Sequence, residues 1–354
     1  MLFSPIKIGS LTLNNRILMA PLTRTRAGVE HMPNALMAEY YSQRASAGLI
    51  ITECTMVAEN TSAFASEPGI YSAEQISAWK HITEAVHAKG GKIFMQIWHA
   101  GRAAHPANNN DTENVAPSAL AIEGEVHTLK GKLANATPRA LHIDEIPAIV
   151  QAYAQGAKNA IAAGFDGVEV HAANGYLIDQ FLRDSANKRT DAYGGSIENR
   201  ARFLCEVLTA VCNAIGSDRV GVRLSPINSY NSMKDSDPIG LISYLSKRLN
   251  DFNLAYLHLM RADFFQAQTG DVMSVARDNY QGVLIGNMGY NADEAEKAIQ
   301  EGKLDAVAFG TSFLANPDLP ARFKAGASLN VPDQSTFYTP GAKGYTDYPT
   351  MEQA

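Results

Sequence analysis

Residues 164–176 read Gly-Phe-Asp-Gly-Val-Glu-Val-His-Ala-Ala-Asn-Gly-Tyr. Gly167–His171 is a short run built on β-branched residues, and Asn174-Gly175 breaks it with a turn. An amphipathic stretch, Asp144–Ala163, precedes the run, and another, Ser196–Ile215, follows it. The same alternation continues in both directions. Further strand-like runs are Arg16–Ala20, Leu49–Glu53, Lys92–Trp98, Val220–Ser225, Ala255–Met260, Val283–Asn287 and Asp305–Gly310. The remaining helical stretches are Asn34–Ala47, Ala73–Lys89, Pro238–Asp251, Val272–Asn279, Ala292–Glu301 and Pro317–Lys324. Leu49–Glu53, Ala255–Met260 and Asp305–Gly310 are apolar almost throughout, as a strand covered on both faces must be. Eight strand-plus-helix units in 354 residues predict an α/β fold, a single (β/α)8 TIM barrel spanning residues 1–354. A doubly wound sheet with a second domain is the competing arrangement.

Two segments depart from the rhythm. His99–Ile143 contains 45 residues with no strong helical pattern, inserted after the third strand. A connection that long is usually a lid, a binding loop or a small hairpin, and in a barrel it is expected over the C-terminal face. Ile6–Leu13 reads as a small hairpin plugging the opposite end, and residues 330–354 as an irregular surface tail rich in Gly, Pro, Tyr and Thr.

Composition narrows the function. With 46% hydrophobic residues the chain has enough apolar content for a large core, and a net charge of −6 without a basic run argues against nucleic acid as partner. No stretch suits a membrane span and the N-terminus lacks the pattern of a signal peptide, so a cytoplasmic setting is expected. Cys54, Cys205 and Cys212 are too few for a disulfide framework or a four-thiolate cluster. The histidines are scattered, so no metal is expected.

In a barrel, chemistry belongs to the C-terminal ends of the strands. There stand Pro21, Leu22 and Thr23 after the first strand, Gln96 and Trp98 at the third, His171 at the fourth and Arg223 at the fifth. His171 and Asn174 can aim two neutral donors at one oxygen, as a carbonyl or nitro group gaining negative charge requires, and Tyr176 beside them can act as general acid. The same trio would also suit a structural histidine before a helix turn. Gly289 and Gly310-Thr311 follow the seventh and eighth strands, where such barrels usually bind phosphate, although glycines there equally permit tight turns. An arginine at a barrel mouth demands an anionic partner, which these runs alone do not supply for Arg223.

Taken together, these residues carry a resemblance. NRILMAPLTR (15–24), YYSQRASAGLIITE (40–53), FMQIWHAGR (94–102), the block 164–200, GVRLSP (221–226), IGNMGY (285–290), DAVAFGTSFLANPDLPAR (305–322) and FYTPGAKGYTDYP (337–349) resemble the Old Yellow Enzyme family of flavin-dependent alkene reductases. The likeness covers nearly the whole chain and points to the bacterial branch that includes N-ethylmaleimide, pentaerythritol tetranitrate and morphinone reductases. It implies non-covalent FMN, reduced by NADPH or NADH, and an activated alkene (enone, maleimide or nitroalkene) as oxidant, in a monomer or homodimer; nitro compounds or nitrate esters are further possible oxidants. By the same resemblance Pro21, Leu22, Thr23, Cys54, Gln96 and Arg223 surround the flavin, with Arg223 stabilising its anionic reduced form. Gly289, Gly310 and Thr311 hold the phosphate. His171 and Asn174 bind the substrate oxygen, Tyr176 protonates the α-carbon after hydride reaches the β-carbon, and Phe64, Trp98 and Tyr338 shape the pocket. The chain departs from the family at three of these positions: Thr311 stands where an arginine usually contacts the phosphate, Cys54 replaces a small residue, and Phe64 stands where close relatives often have tyrosine.

Overall fold

The computed structural model describes residues 1–353. Eight parallel strands close on themselves: β1 (Ile17–Met19), β2 (Ile50–Ile51), β3 (Ile93–Trp98), β4 (Gly167–Ala172), β5 (Val220–Leu224), β6 (Tyr256–Met260), β7 (Leu284–Asn287) and β8 (Ala306–Phe309). Each pairs with its sequence neighbours, and β8 pairs with β1, which completes the (β/α)8 barrel. Thr55–Met56 runs on beside the end of β3.

The outer ring consists of α1 (Ala35–Gln43), α2 (Ala73–His87), α3 (Ile146–Ala162), α4 (Ile197–Ile215), α5 (Pro238–Leu249), α6 (Val272–Asn279), α7 (Ala292–Gln300) and α8 (Leu319–Ala325). Six of these begin where a side-chain oxygen caps free backbone N–H groups: Asn34, Ser72, Ser196, Asp237, Asp271 and Asn291. The expected helix Pro317–Lys324 is α8, shifted slightly at its ends, and a short piece, Thr311–Ala315, precedes it. Asn316 is extended between them and its amide donates to Ser312 O, which ends the first piece, while Pro320 occupies the first turn of α8.

Parallel register decides what enters the barrel. Gln96 pairs with Glu169, Glu169 with Gly221 and Gly221 with Tyr256; two residues higher, His171 pairs with Arg223 and Arg223 with His258. Side chains alternate along a strand, so these residues face the interior as stacked layers. The lower interior is apolar, filled by Leu18, Ile51, Phe94, Tyr256 and Ile285 over Ile8 and Leu13 of the N-terminal hairpin. Gly221 is required there, because a Cβ would lie 2.2 Å from the Tyr256 ring. The polar layers sit above this plug, at the C-terminal end.

The insertion holds a hairpin, Glu125–Thr128 with Gly131–Ala134. Arg102 donates to Leu120 and Asn231 carbonyls, and Ile122, Ala103 and Ala104 pack with Trp98 and Tyr176. It buttresses one wall of the barrel mouth from behind. The tail is not merely superficial: Tyr345 is fully buried and stacks on Tyr40 at 4.0 Å. Arg24 donates to Phe337 and Gly344 carbonyls, Arg26 to Thr336 and Phe337 carbonyls, and Arg44 to the Leu314 carbonyl.

Candidate active site

A cleft of about 440 Å³ opens at the C-terminal mouth. Its floor and sides include Pro21, Leu22, Thr23, Gln96, His171, Asn174, Tyr176, Arg223, Gly289, Gly310 and Thr311, and its rim includes Phe64 and Tyr338. Thirteen of the fifteen side chains singled out in the sequence therefore converge on one hollow; Trp98 and Cys54 do not. A larger hollow, about 620 Å³, lies on the outer surface between α6 and α7. Its arginines and lysines are mostly spent on ion pairs, Arg261–Glu294 and Lys303–Glu301 within its lining and Arg277–Asp305 to a residue outside it, and it lacks the strand-end residues that line the cleft.

Trp98 is completely buried: it shares the strand face of Gln96 but is covered by the Phe64, His171 and Tyr176 rings, which line the cleft in front of it. It meets Tyr176 edge-on at 4.3 Å and stacks over His171 at 6.1 Å, so it fixes those two rings without facing the cleft. Cys54 is likewise buried, with Sγ 3.1 Å from Thr23 Oγ1. Its contact with any cofactor is through Thr23. Burial, with Glu67 nearby, pushes the Cys54 thiol well up, so it stays protonated.

The His171–Asn174–Tyr176 turn is built by backbone strain and local hydrogen bonds. Asn174 has φ +56°, a conformation asparagine tolerates better than most residues. Ser225 Oγ accepts from its N–H at 2.7 Å, and its side-chain oxygen accepts from Asn228 at 2.8 Å. With the oxygen occupied, the NH2 end remains the available donor of Asn174. His171 is held neutral: burial, then Arg223 and His258, drive its proton affinity well down. Its Nδ1 has no protein partner. Tyr176 is driven the other way, by burial and then by Tyr230 and Cys54, so its phenol keeps its proton.

The adjoining part of the cleft floor is a cradle for a planar imide. Arg223 is buried, its Nη2 donates to Asn287 Oδ1 at 2.8 Å, and its Nε has no partner. Asn287 in turn donates to Ala308 O at 2.7 Å, so its oxygen is fixed toward the arginine. Gln96 donates to Glu169 Oε1 at 2.8 Å. Neither Asn287 nor Glu169 was legible as part of the site, although both lie in strand-end runs whose inward alternation places them there.

Past β7 and β8 the cleft is lined by backbone. Among the described residues, no carbonyl accepts from the N–H groups of Gly289 and Gly310. Gly289 has φ +72°, and a Cβ on Gly310 would meet only Leu22, at 3.4 Å. Two free N–H groups in an open glycine cradle suit a phosphate. The basic residues of the cleft are Arg24, His171 and Arg223. Arg24 is spent on the tail, so what this end of the cleft offers a ligand is backbone N–H groups together with Thr311 and Ser312, which line it. The volume, the orphaned Arg223 Nε, the Gln96 amide and the glycine cradle together fit FMN.

Comparison with known proteins agrees. The profile of a family described as NADH:flavin oxidoreductase / NADH oxidase matches residues 1–330. A protein of Leishmania infantum named as a probable flavin mononucleotide-dependent alkene reductase is 52% identical, the match covering 99% of this chain and 97% of that one. The old yellow enzyme of Trypanosoma cruzi superposes with a TM-score of 0.97 at 45% identity, covering 99% of this chain and 98% of that one. Morphinone reductase does so at 0.95 and 46%, covering 99% and 96%, and has also been solved in complex with tetrahydroNAD. The chain therefore belongs to the NADH:flavin oxidoreductase / NADH oxidase family, as an FMN-dependent alkene reductase of the Old Yellow Enzyme type.

Proposed function

We propose that the cleft reduces activated alkenes with electrons from NADPH or NADH, and that His171, Asn174 and Tyr176 are its catalytic residues. The observation that carries this is the make-up of one turn: a buried imidazole and a free amide NH2 beside a buried phenol, with burial disfavouring the charged form of both rings. FMN, when bound, would supply the hydride chemistry that links the nicotinamide to the alkene. His171 and Asn174 hold the carbonyl or nitro oxygen and stabilise the charge that develops on it. Because both donors are neutral, they do so without giving up a proton. Tyr176 supplies the proton to the α-carbon. Trp98 fixes the Tyr176 ring, and Phe64, Tyr230, Phe264 and Tyr338 exclude water above it.

Beside these, Gln96 and Arg223 would hold the flavin pyrimidine, Pro21, Leu22 and Thr23 would flank the ring, and Gly289, Gly310 and Thr311 would hold the phosphate. The partner set is small: a nicotinamide reductant and an electron-poor alkene sharing one cleft.

The test is a visible spectrum of the purified protein under anaerobic conditions. Oxidised-flavin bands should bleach on adding NADPH and return on adding 2-cyclohexenone. A protein that stays colourless after FMN is supplied would overturn the reading.

A further inference from the structure

Below the cleft lies a buried polar cluster to which the chemistry above assigns no part. Glu169 is fully buried on β4. Its Oε1 accepts from Gln96 Nε2 at 2.8 Å. Its Oε2 accepts from Tyr256 O–H at 3.1 Å and from His258 Nδ1 at 2.8 Å. His258 Nε2 has no partner, consistent with a neutral imidazole whose one proton sits on Nδ1. Burial works against the carboxylate's charge, yet His258, Arg223 and Gln96 outweigh it and hold Glu169 ionised.

Two consequences follow from chemistry alone. A carboxylate only accepts hydrogen bonds, so the end of the Gln96 amide that meets it must be nitrogen. The Gln96 oxygen is then the acceptor left for the cleft, which Gln96 lines. Secondly, Arg223 carries a full charge in a buried site with no carboxylate in salt-bridge contact; its hydrogen bond is to neutral Asn287. Glu169 is two residues below it in register on the adjacent strand, on the same inward face, and is the chief negative charge that Arg223 feels.

Resting on the FMN reading above, we propose that Glu169 is a positioning residue for the pyrimidine end of the cofactor site. Its carboxylate fixes which end of the Gln96 amide faces the cofactor, and it balances the Arg223 charge. It thereby sets how much more tightly the site holds reduced, anionic FMN than oxidised FMN. Removing its charge leaves Arg223 uncompensated and favours the reduced form.

The experiment compares wild type, Glu169→Gln and Tyr256→Phe, each reconstituted with FMN, by dye-equilibrated reductive titration and by thermal melting. In Glu169→Gln the ratio of oxidised-form Kd to reduced-form Kd should rise roughly tenfold, read as a two-electron potential about 30 mV higher. Tyr256→Phe keeps the carboxylate but removes one of its donors, leaving its charge less spent, so the ratio should move the other way. A purely structural role would lower the melting temperature of either variant without moving its potential. An FMN-loaded Glu169→Gln protein with wild-type potential overturns the proposal. If that variant fails to fold, an unchanged or raised potential in Tyr256→Phe does the same. A wild-type protein that takes up no FMN instead overturns the underlying reading.

Discussion

Single side chains divide the work of the cleft by protonation state. Tyr176 is a phenol that burial keeps protonated, so Tyr176→Phe should remove the proton donor and little else. Stopped-flow measurement of the two half-reactions should show alkene reduction slowed by about 10²–10⁴, with flavin reduction by NADPH nearly unchanged. Equal losses in both would contradict the assignment. Thr311 offers the complementary case. The phosphate end has free backbone N–H groups but no uncommitted cation, so Thr311→Arg should add a charge-assisted contact. FMN should bind tighter by about 1–3 kcal/mol, while riboflavin, which lacks the phosphate, binds as before. A flavin-fluorescence titration with both ligands checks this, and a parallel gain for riboflavin would place Thr311 away from the phosphate. The residue scale is also where sequence reading stopped short. Strand ends announced His171, Arg223 and Gln96, because alternation says which residues point inward. Alternation does not say how deep a side chain sits, which is why Trp98 and Cys54 proved to lie behind the wall. Asn287 and Glu169 carry no distinctive local pattern, and only the register of neighbouring strands joins them to Arg223 and Gln96.

Among the elements, the helix ring was readable because capping residues and amphipathic spacing are local signals. Val272–Asn279 falls where the spacing placed it, and the other helices differ mainly at their ends. The tail was not readable, because what holds it is long-range: guanidinium groups of Arg24, Arg26 and Arg44 donating to carbonyls some three hundred residues away. Its composition suggests a loose surface segment, whereas Tyr345 lies fully buried against Tyr40, with Arg26 4.6 Å over its ring. Tyr345→Ala should cost about 3–5 kcal/mol if the strap is intact in solution, as for other buried aromatic truncations. It should also weaken FMN binding, since Phe337 and Tyr338 form part of the cleft rim. Val331→Ala, at an 86% exposed position of the same segment, is the control and should be nearly neutral. Equal melting temperatures for the two variants would show that the segment does not bear on the core.

For the whole molecule, pH dependence follows from a few buried groups. Burial raises the Glu53 carboxyl to about 7 from its ordinary 4.5, opposed in part by the Arg24 N–H and the Tyr41 hydroxyl. Its folded proton affinity exceeds the unfolded one, so its contribution to stability is complete below pH 4.5 and is lost as pH rises through about 7. His99, lowered by burial to about 4, acts oppositely: its contribution is complete above 6.5 and is lost as pH falls toward 4. The two largely cancel in mildly acid solution. Glu53→Gln should uncover this, with the stability difference between variant and wild type rising by roughly 1–3 kcal/mol between pH 4.5 and 7.5. Denaturant melts across that range test it, and a difference independent of pH would assign Glu53 an ordinary proton affinity. The barrel itself was legible because eight similar units repeat, and closure of β8 on β1 follows from their number. That closure and the arginine strap share a temporal consequence. During synthesis the chain emerges from its N-terminus, so β1 waits for its second partner until β8 appears, and Arg24 waits longer still for Phe337 and Gly344. A nascent chain therefore cannot complete the cleft rim until residues 337–344 have left the ribosome. Truncations that remove residues 337–344 should therefore act on the cleft rim, and so on cofactor loading, rather than only on expression.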